Sequence, residues 1–272
     1  MTYSVLAPQA SQPDPPFNSG AVRPLQCFND GWQLIQGQYF LFVAMCLIII
    51  VLVTCIPLAG IIYGAWMAGT YYALLGLMRG ERASFNAISK GFSQFSQAFV
   101  VALLSGLPFL VVGVGAKVME LRFDQIEKTY PGELPDEVLI EQIIYLVVLV
   151  LVYTIIHLIT GLIFGFAYQL VVERNLSGWQ AIKLSLRATN ANFGGVLGLV
   201  LIEIGLGALG VILCCVGIAF TMPLSKAAWT VAYRQVFPAP PAGQVEYPPF
   251  APPPPPPPYF GAPNQYRDPA KS

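Results

Sequence analysis

The sequence predicts an all-α, polytopic transmembrane bundle of about six membrane-crossing helices, on three observations. Hydrophobic residues make up 56% of the chain and charged residues only 10%, a balance that water-soluble domains do not have. The apolar residues gather into stretches long enough to cross a hydrocarbon core. An amphipathic rhythm also recurs, each copy running into one of these stretches: Leu25, Phe28, Trp32, Ile35, Tyr39, then Phe85, Ile88, Phe92, Phe95, Phe99, then Trp179, Ile182, Leu186, Phe193 with Thr189 between. Spacings of three and four align side chains along one helix face. The predicted plan is three units, each an interfacial amphipathic helix followed by a helical hairpin, forming an integral membrane domain over residues 23–236.

Residues 1–22 carry Pro8, Pro13, Pro15 and Pro16 among polar neighbours and read as a disordered lead. They have neither a basic region nor an apolar core, so no cleavable signal is predicted and the first crossing serves as the insertion signal. That crossing covers residues 39–56, and Pro57 and Gly60 end it. A second apolar stretch over residues 58–78 completes a hairpin, with Gly60, Gly64 and Ala68 four apart, a spacing that admits a close neighbour helix. Arg79 to Arg82 then close the first unit. The third crossing spans residues 98–118 and should kink at Pro108.

Residues 117–141 form the one long charged loop, with Pro131 and Gly132 marking a turn. Pro135, Asp136 and Glu137 suit a helix start, since proline fits the first position and acids fit the positive dipole end. A helix from there to Val172 would be about 57 Å long, far beyond a hydrocarbon core of about 30 Å. Such a helix must project outward, tilt, or break near Gly161 and Gly165; the favoured reading is projection, with residues 119–128 prolonging the third helix as a partner in an extramembrane hairpin, and a seventh crossing is the rival. The fifth crossing, residues 193–213, is rich in glycine and is expected at the bundle centre. The sixth runs to about Tyr233.

Charge supplies orientation. Lys117, Arg122 and Lys128 fall on one side, whereas Arg23, Arg79, Arg82, Lys90, Arg174, Lys183, Arg187, Arg234, Arg267 and Lys271 fall on the other. The excess places both termini and the three amphipathic helices in the cytoplasm of a multi-pass cell-membrane protein. With Lys183 and Arg187 on its polar face, the third amphipathic helix could lie on an anionic leaflet, or these helices could simply connect and pack against the bundle. The chain has zero formal net charge and no long basic cluster, so no nucleic-acid footprint is present.

No enzyme signature occurs: there is no GxSxG, no GxxxxGK and no HExxH, and a single histidine rules out a multi-histidine metal site. No cofactor is expected. Two polar residues stand inside apolar segments, Glu203 in the fifth crossing and His157 in the fourth. A charge at mid-membrane costs about 2.5–3.5 kcal/mol on insertion scales, so Glu203 should face the bundle. Either the two handle a proton or cation, or Glu203 makes an interhelical hydrogen bond in an otherwise uncharged bundle. Cys55 and the pair Cys214 and Cys215 stand at the outer ends of two crossings, either as a disulfide or as small apolar packing residues.

Residues 237–272 are a proline-rich cytoplasmic tail, expected to be disordered. An unbroken proline run with Pro252 and Pro258 at its ends forces a polyproline II rod of about 20 Å. Tyr247, Phe250, Tyr259 and Phe260 flank it as anchors that an aromatic-lined groove of a partner protein recognises.

The order of Arg79, Gly80, Glu81, then Phe85, Ile88, Phe92, then Ala181, Ser185, Ala188, Asn192, Phe193, then Cys215, Gly217, Pro223 and the stretch 232–237 resembles uncharacterised bacterial six-helix membrane proteins. It is also similar to the membrane domain attached to some glycerophosphodiester phosphodiesterases. The resemblance covers about residues 23–237 and implies a bacterial inner-membrane location. It implies no activity, because the residues that match contain nothing of the phosphodiesterase catalytic domain. The expected function is that of a non-enzymatic scaffold or accessory component in the lipid bilayer, with a small-solute or proton-coupled transporter using Glu203 as the alternative.

Overall fold

The computed structural model describes residues 15–55, 60–130, 132, 135–212 and 216–239, and every regular element among them is helical. In chain order these are α1 (Pro24–Ile35), a short 3-10 turn, α2 (Tyr39–Cys55), α3 (Gly60–Met78), α4 (Asn86–Phe92), α5 (Phe95–Gly106), α6 (Phe109–Thr129), α7 (Asp136–Phe164), α8 (Ala167–Arg174), α9 (Gly178–Ala191), α10 (Phe193–Ile212) and α11 (Val216–Val236). The stretches Pro24–Val53, Gly60–Met78, Asp136–Arg174 and Phe193–Ile212 are long and apolar enough to cross a membrane, and α5 with α6 makes a fifth if the bent pair is one span. Helix α11, the sixth in sequence, is not among them; Ser225, Lys226, Thr230 and Arg234 dilute its apolar character.

The expected breaks have local causes. Pro108 separates α5 from α6, which meet at 54°, because proline offers no N–H and crowds the preceding turn. The stretch Asp136–Arg174 does not run unbroken: α7 stops at Gly165, where the Trp229 ring lies where a side chain would be. The backbone N–H of Phe166, freed by that break, donates to Ser185 Oγ at 3.2 Å. Helix α8 closes on Asn175 in the left-handed conformation, and α9 opens on a capping box of Ser177 with Gln180. Residues 119–128 do prolong α6, which packs along α7 through the Arg122–Glu141 ion pair at 2.5 Å and the Tyr145 hydroxyl donating to Gly115 O at 2.9 Å.

Helices α1, α4 and α9 stand where the rhythm predicts, and each divides it the same way. Leu25 and Trp32, Phe85 and Phe92, and Trp179 and Leu186 point outward, between 40% and 78% exposed. Between them, Cys27, Ala87 and Ala181 are buried, as are Gly31, Gly91 and Ser185 four residues further on. The small residues set the packing. Gly31 lets α1 meet the backbone of Ala227 and Ala228 in α11, and Gly91 lets α4 meet Ala65 and Gly69 in α3. Helix α9 meets the α7–α8 break through Ser185.

The glycines of α10 differ from expectation. Gly195 and Gly198 receive Val22 and Pro24, and Gly210 receives α11, but Gly194, Gly205 and Gly207 face open space. Glycine here admits specific neighbours and does not mark the helix as central. On α3 the small-residue spacing works at Gly64, which lies against Ala98 and Ala102 of α5.

Both domain boundaries shift. Residues at the end of the expected disordered lead are pinned: Asn18 N donates to Val236 O at 2.8 Å, and the Phe17 and Phe237 rings are 6.0 Å apart. Asn192 holds the same strap, accepting from Ala21 N at 2.7 Å and donating to Asn18 O at 2.9 Å. Phe237, assigned from sequence to the tail, is fully buried in the core. An apolar ring at that position has more to gain from α8 and α11 than from water. Asn192→Ala should therefore cost about 1 kcal/mol by removing the part-buried hydrogen bonds to Ala21 N and Asn18 O, read as faster amide exchange at Ala21.

Candidate functional site

Glu203 lies at the middle of α10, and its side chain is 13% exposed. It is not a lone carboxylate in an uncharged bundle. Lys226, halfway along α11, places Nζ 3.1 Å from Oε1, and the indole N–H of Trp229 donates to Oε2 at 2.7 Å. The three side chains are brought together because α10 and α11 are neighbours and Lys226 and Trp229 are three apart on one α11 face. Both carboxylate oxygens are engaged, the arrangement an ionised buried carboxylate needs.

His157, on α7, does reach the same place. Its Nε2 is 4.0 Å from Glu203 Oε2, outside hydrogen-bond range. The imidazole is held by rings instead: Tyr153 stacks on it with centroids 5.9 Å apart, and Phe109 meets it edge-on at 6.5 Å. The two residues singled out from sequence thus converge, but the groups that satisfy Glu203 are two others.

Lys226 was legible by a signal that a residue-by-residue scan does not use. Glu203 lies nine residues before the end of α10 at Ile212, and Lys226 ten residues after the start of α11 at Val216. Opposite charges at nearly equal distances from the ends of two neighbouring helices stand at nearly equal heights, because each residue of helix adds the same rise.

A second buried ion pair, also unforeseen, joins α8 to α11. Arg234 engages both oxygens of Glu173, with Nη1 to Oε2 at 2.7 Å and Nη2 to Oε1, and the Tyr233 hydroxyl donates to Oε2 at 2.8 Å. Arg174 donates to Pro238 O at 2.5 Å. Both contacts fix the C-terminal end of α11, which explains why residues 237–239 stay with the bundle.

Among the described residues no group of three or more His, Cys, Asp or Glu side chains could hold a metal ion. Cys27 and Cys46 are buried free thiols. Cys214, Cys215 and the Cys55 side chain lie outside the described residues, as do Tyr247, Phe250, Pro252, Pro258, Tyr259 and Phe260. No protein-family model matches the chain, and no curated protein or solved structure matches it either.

Proposed function

We propose that the protein is a multi-pass integral membrane scaffold or accessory component, without enzymatic activity, whose cytoplasmic proline-rich tail docks another protein. In this reading six crossings form three units, the termini are cytoplasmic, and the location is a bacterial inner membrane, as for the six-helix proteins the sequence resembles. The packing of α1 on α11, α4 on α3 and α9 on α7 and α8 supports the three units, because each amphipathic helix rests on the end of the unit before it and α1 closes the ring. The observation that carries a scaffold over a transporter is the closed state of Glu203, whose two oxygens are taken by Lys226 and Trp229. A proton or cation would have to displace the Lys226 ammonium or the Trp229 N–H before Glu203 could take it up. The second reading, proton-coupled transport, draws on His157 at 4.0 Å from the same carboxylate.

The tail is tested by removing residues 241–272, a cut that leaves Phe237 and Pro238 in place. Crosslinking in intact cells should then recover a protein with the full chain that the shortened chain loses. The same crosslinked set from both would sink the tail-docking mechanism.

A further inference from the structure

We infer that the cleft between the C-terminal end of α6 and the N-terminal end of α7 binds a small organic ammonium ion, with Gln142 as the acceptor at its floor. Val138, Gln142, Tyr145 and Leu149 stand on one face of α7, at spacings of four, three and four. The later two close on α6 at Gly115, Tyr145 through its hydroxyl and Leu149 by direct contact. The earlier two line a cleft of about 350 Å³ that the helices leave between them.

Gln142 inverts the pattern around it. It is 6% exposed, whereas Ile143 and Ile144 beside it are 51% and 58% exposed. Its Oε1 has no hydrogen-bond partner among the described residues, although a buried side-chain oxygen ordinarily has one. Two donors that line the cleft are directed elsewhere. The Arg122 guanidinium is held by Glu141 at 2.5 Å and lies 5.9 Å from the Tyr145 ring centroid, and the Thr129 hydroxyl donates to Gln125 O at 2.8 Å. The terminal amide turns about a soft torsion, so Oε1 can be presented to the cleft while α7 stays in place. A donor from outside the chain completes the site.

The surroundings select a cationic donor. The Glu141 side chain at the rim is 62% exposed, and the same helix ends carry Asp124, Glu127, Asp136 and Glu137. Of the two lysines there, Lys117 is bound to Glu120 at 2.6 Å. A cleft set in an excess of acids concentrates cations. Tyr130 contributes an aromatic ring, which attracts an ammonium, and Ile126 and Val138 give its alkyl part an apolar wall. The donor set does not suit a bare metal ion, because among the described residues no group of three or more His, Cys, Asp or Glu side chains could hold one.

The test titrates n-butylammonium into the full chain in dodecylmaltoside micelles, with n-butanol and butyrate as matched neutral and anionic probes and empty micelles as the blank. Saturation transfer from protein to probe reports binding. The Gln142 side-chain amide signal of glutamine-labelled protein, assigned by its loss in Gln142→Leu, reports the place. Butylammonium should bind saturably and shift that signal. Gln142→Leu should weaken binding about tenfold, the worth of a hydrogen bond to a charged group. Glu141→Gln should weaken it about threefold, and salt should lower the affinity of the unchanged chain. Glu81→Gln, between α3 and α4, should change nothing. Glu141 is exposed, so Glu141→Gln decides the matter if Gln142→Leu does not fold. Butanol binding as tightly as butylammonium overturns the proposal and leaves only an apolar cleft. Tighter binding of butyrate overturns it in favour of an anion at Arg122. Binding that leaves the Gln142 signal unmoved, or no saturable binding at all, overturns it as well.

Discussion

Lys226→Met on its own will destabilise the folded bundle by about 3–5 kcal/mol, the cost of leaving a buried charge without its partner. Glu203 would keep the Trp229 N–H on Oε2 but lose the ammonium 3.1 Å from Oε1. Pairing Lys226→Met with Glu203→Gln should recover most of the loss, because a neutral amide can still accept from Trp229 and no charge remains. A double-mutant cycle on unfolding in mixed detergent measures the coupling. If Lys226→Met alone unfolds like the unchanged protein, the pair contributes no stability and the clamp between α10 and α11 is lost as an explanation. The same double variant separates the two functional readings. Reconstituted in vesicles containing a pH-sensitive dye, it should behave like the unchanged chain if the pair is structural. Selective loss of proton uptake from a stable double variant would favour the transporter.

The residues show why some of this was legible in the sequence and some was not. Helix positions follow from composition and spacing, which are local properties: Pro108 breaks a helix wherever it falls, and Asp136 and Glu137 suit a helix start whatever lies nearby. The convergence of His157 on Glu203 was within reach because few polar residues occur in the apolar segments. Which face of the amphipathic helices is buried was not legible from hydrophobicity. The outward residues Trp32, Phe92 and Leu186 are more apolar than the buried Gly31, Gly91 and Ser185, although Ile35, Ile88 and Ile182 are buried as they would be on a water-soluble helix. In apolar surroundings size, not polarity, decides which residues face the neighbouring backbone. The Glu173–Arg234 pair is a further case. Its residues are 61 apart in sequence, and neither stands inside an apolar run where it would draw notice. Only the return of α11 to α8 brings them together.

Gly31→Ala and Gly91→Ala should each destabilise the protein by about 1–3 kcal/mol, although alanine in a helix is favoured over glycine by about 1 kcal/mol. At Gly31 an added methyl would lie 2.8 Å from Ala228 N and 3.1 Å from Ala227 C, and at Gly91 it would meet Ala65 O and the Gly69 backbone. Backbone atoms cannot turn aside as a side chain can, so α1 would have to lift from α11, and α4 from α3. Gly113→Ala is the internal control. Nothing lies within 4 Å of the methyl it would add, so only the propensity gain of about 1 kcal/mol should register. Opposite signs for one substitution within helices of one chain would isolate interhelical distance as the cause. At the third equivalent position Ser185→Ala is expected to cost a similar amount by another route, because the Phe166 N–H loses its acceptor. Thermal unfolding of the four variants tests the three-unit plan directly. If the units are equivalent, positions 31, 91 and 185 respond alike. Tolerance at Gly91 beside sensitivity at Gly31 would mean that the matching burial arises from helix periodicity alone, and the ring of units would have to be abandoned.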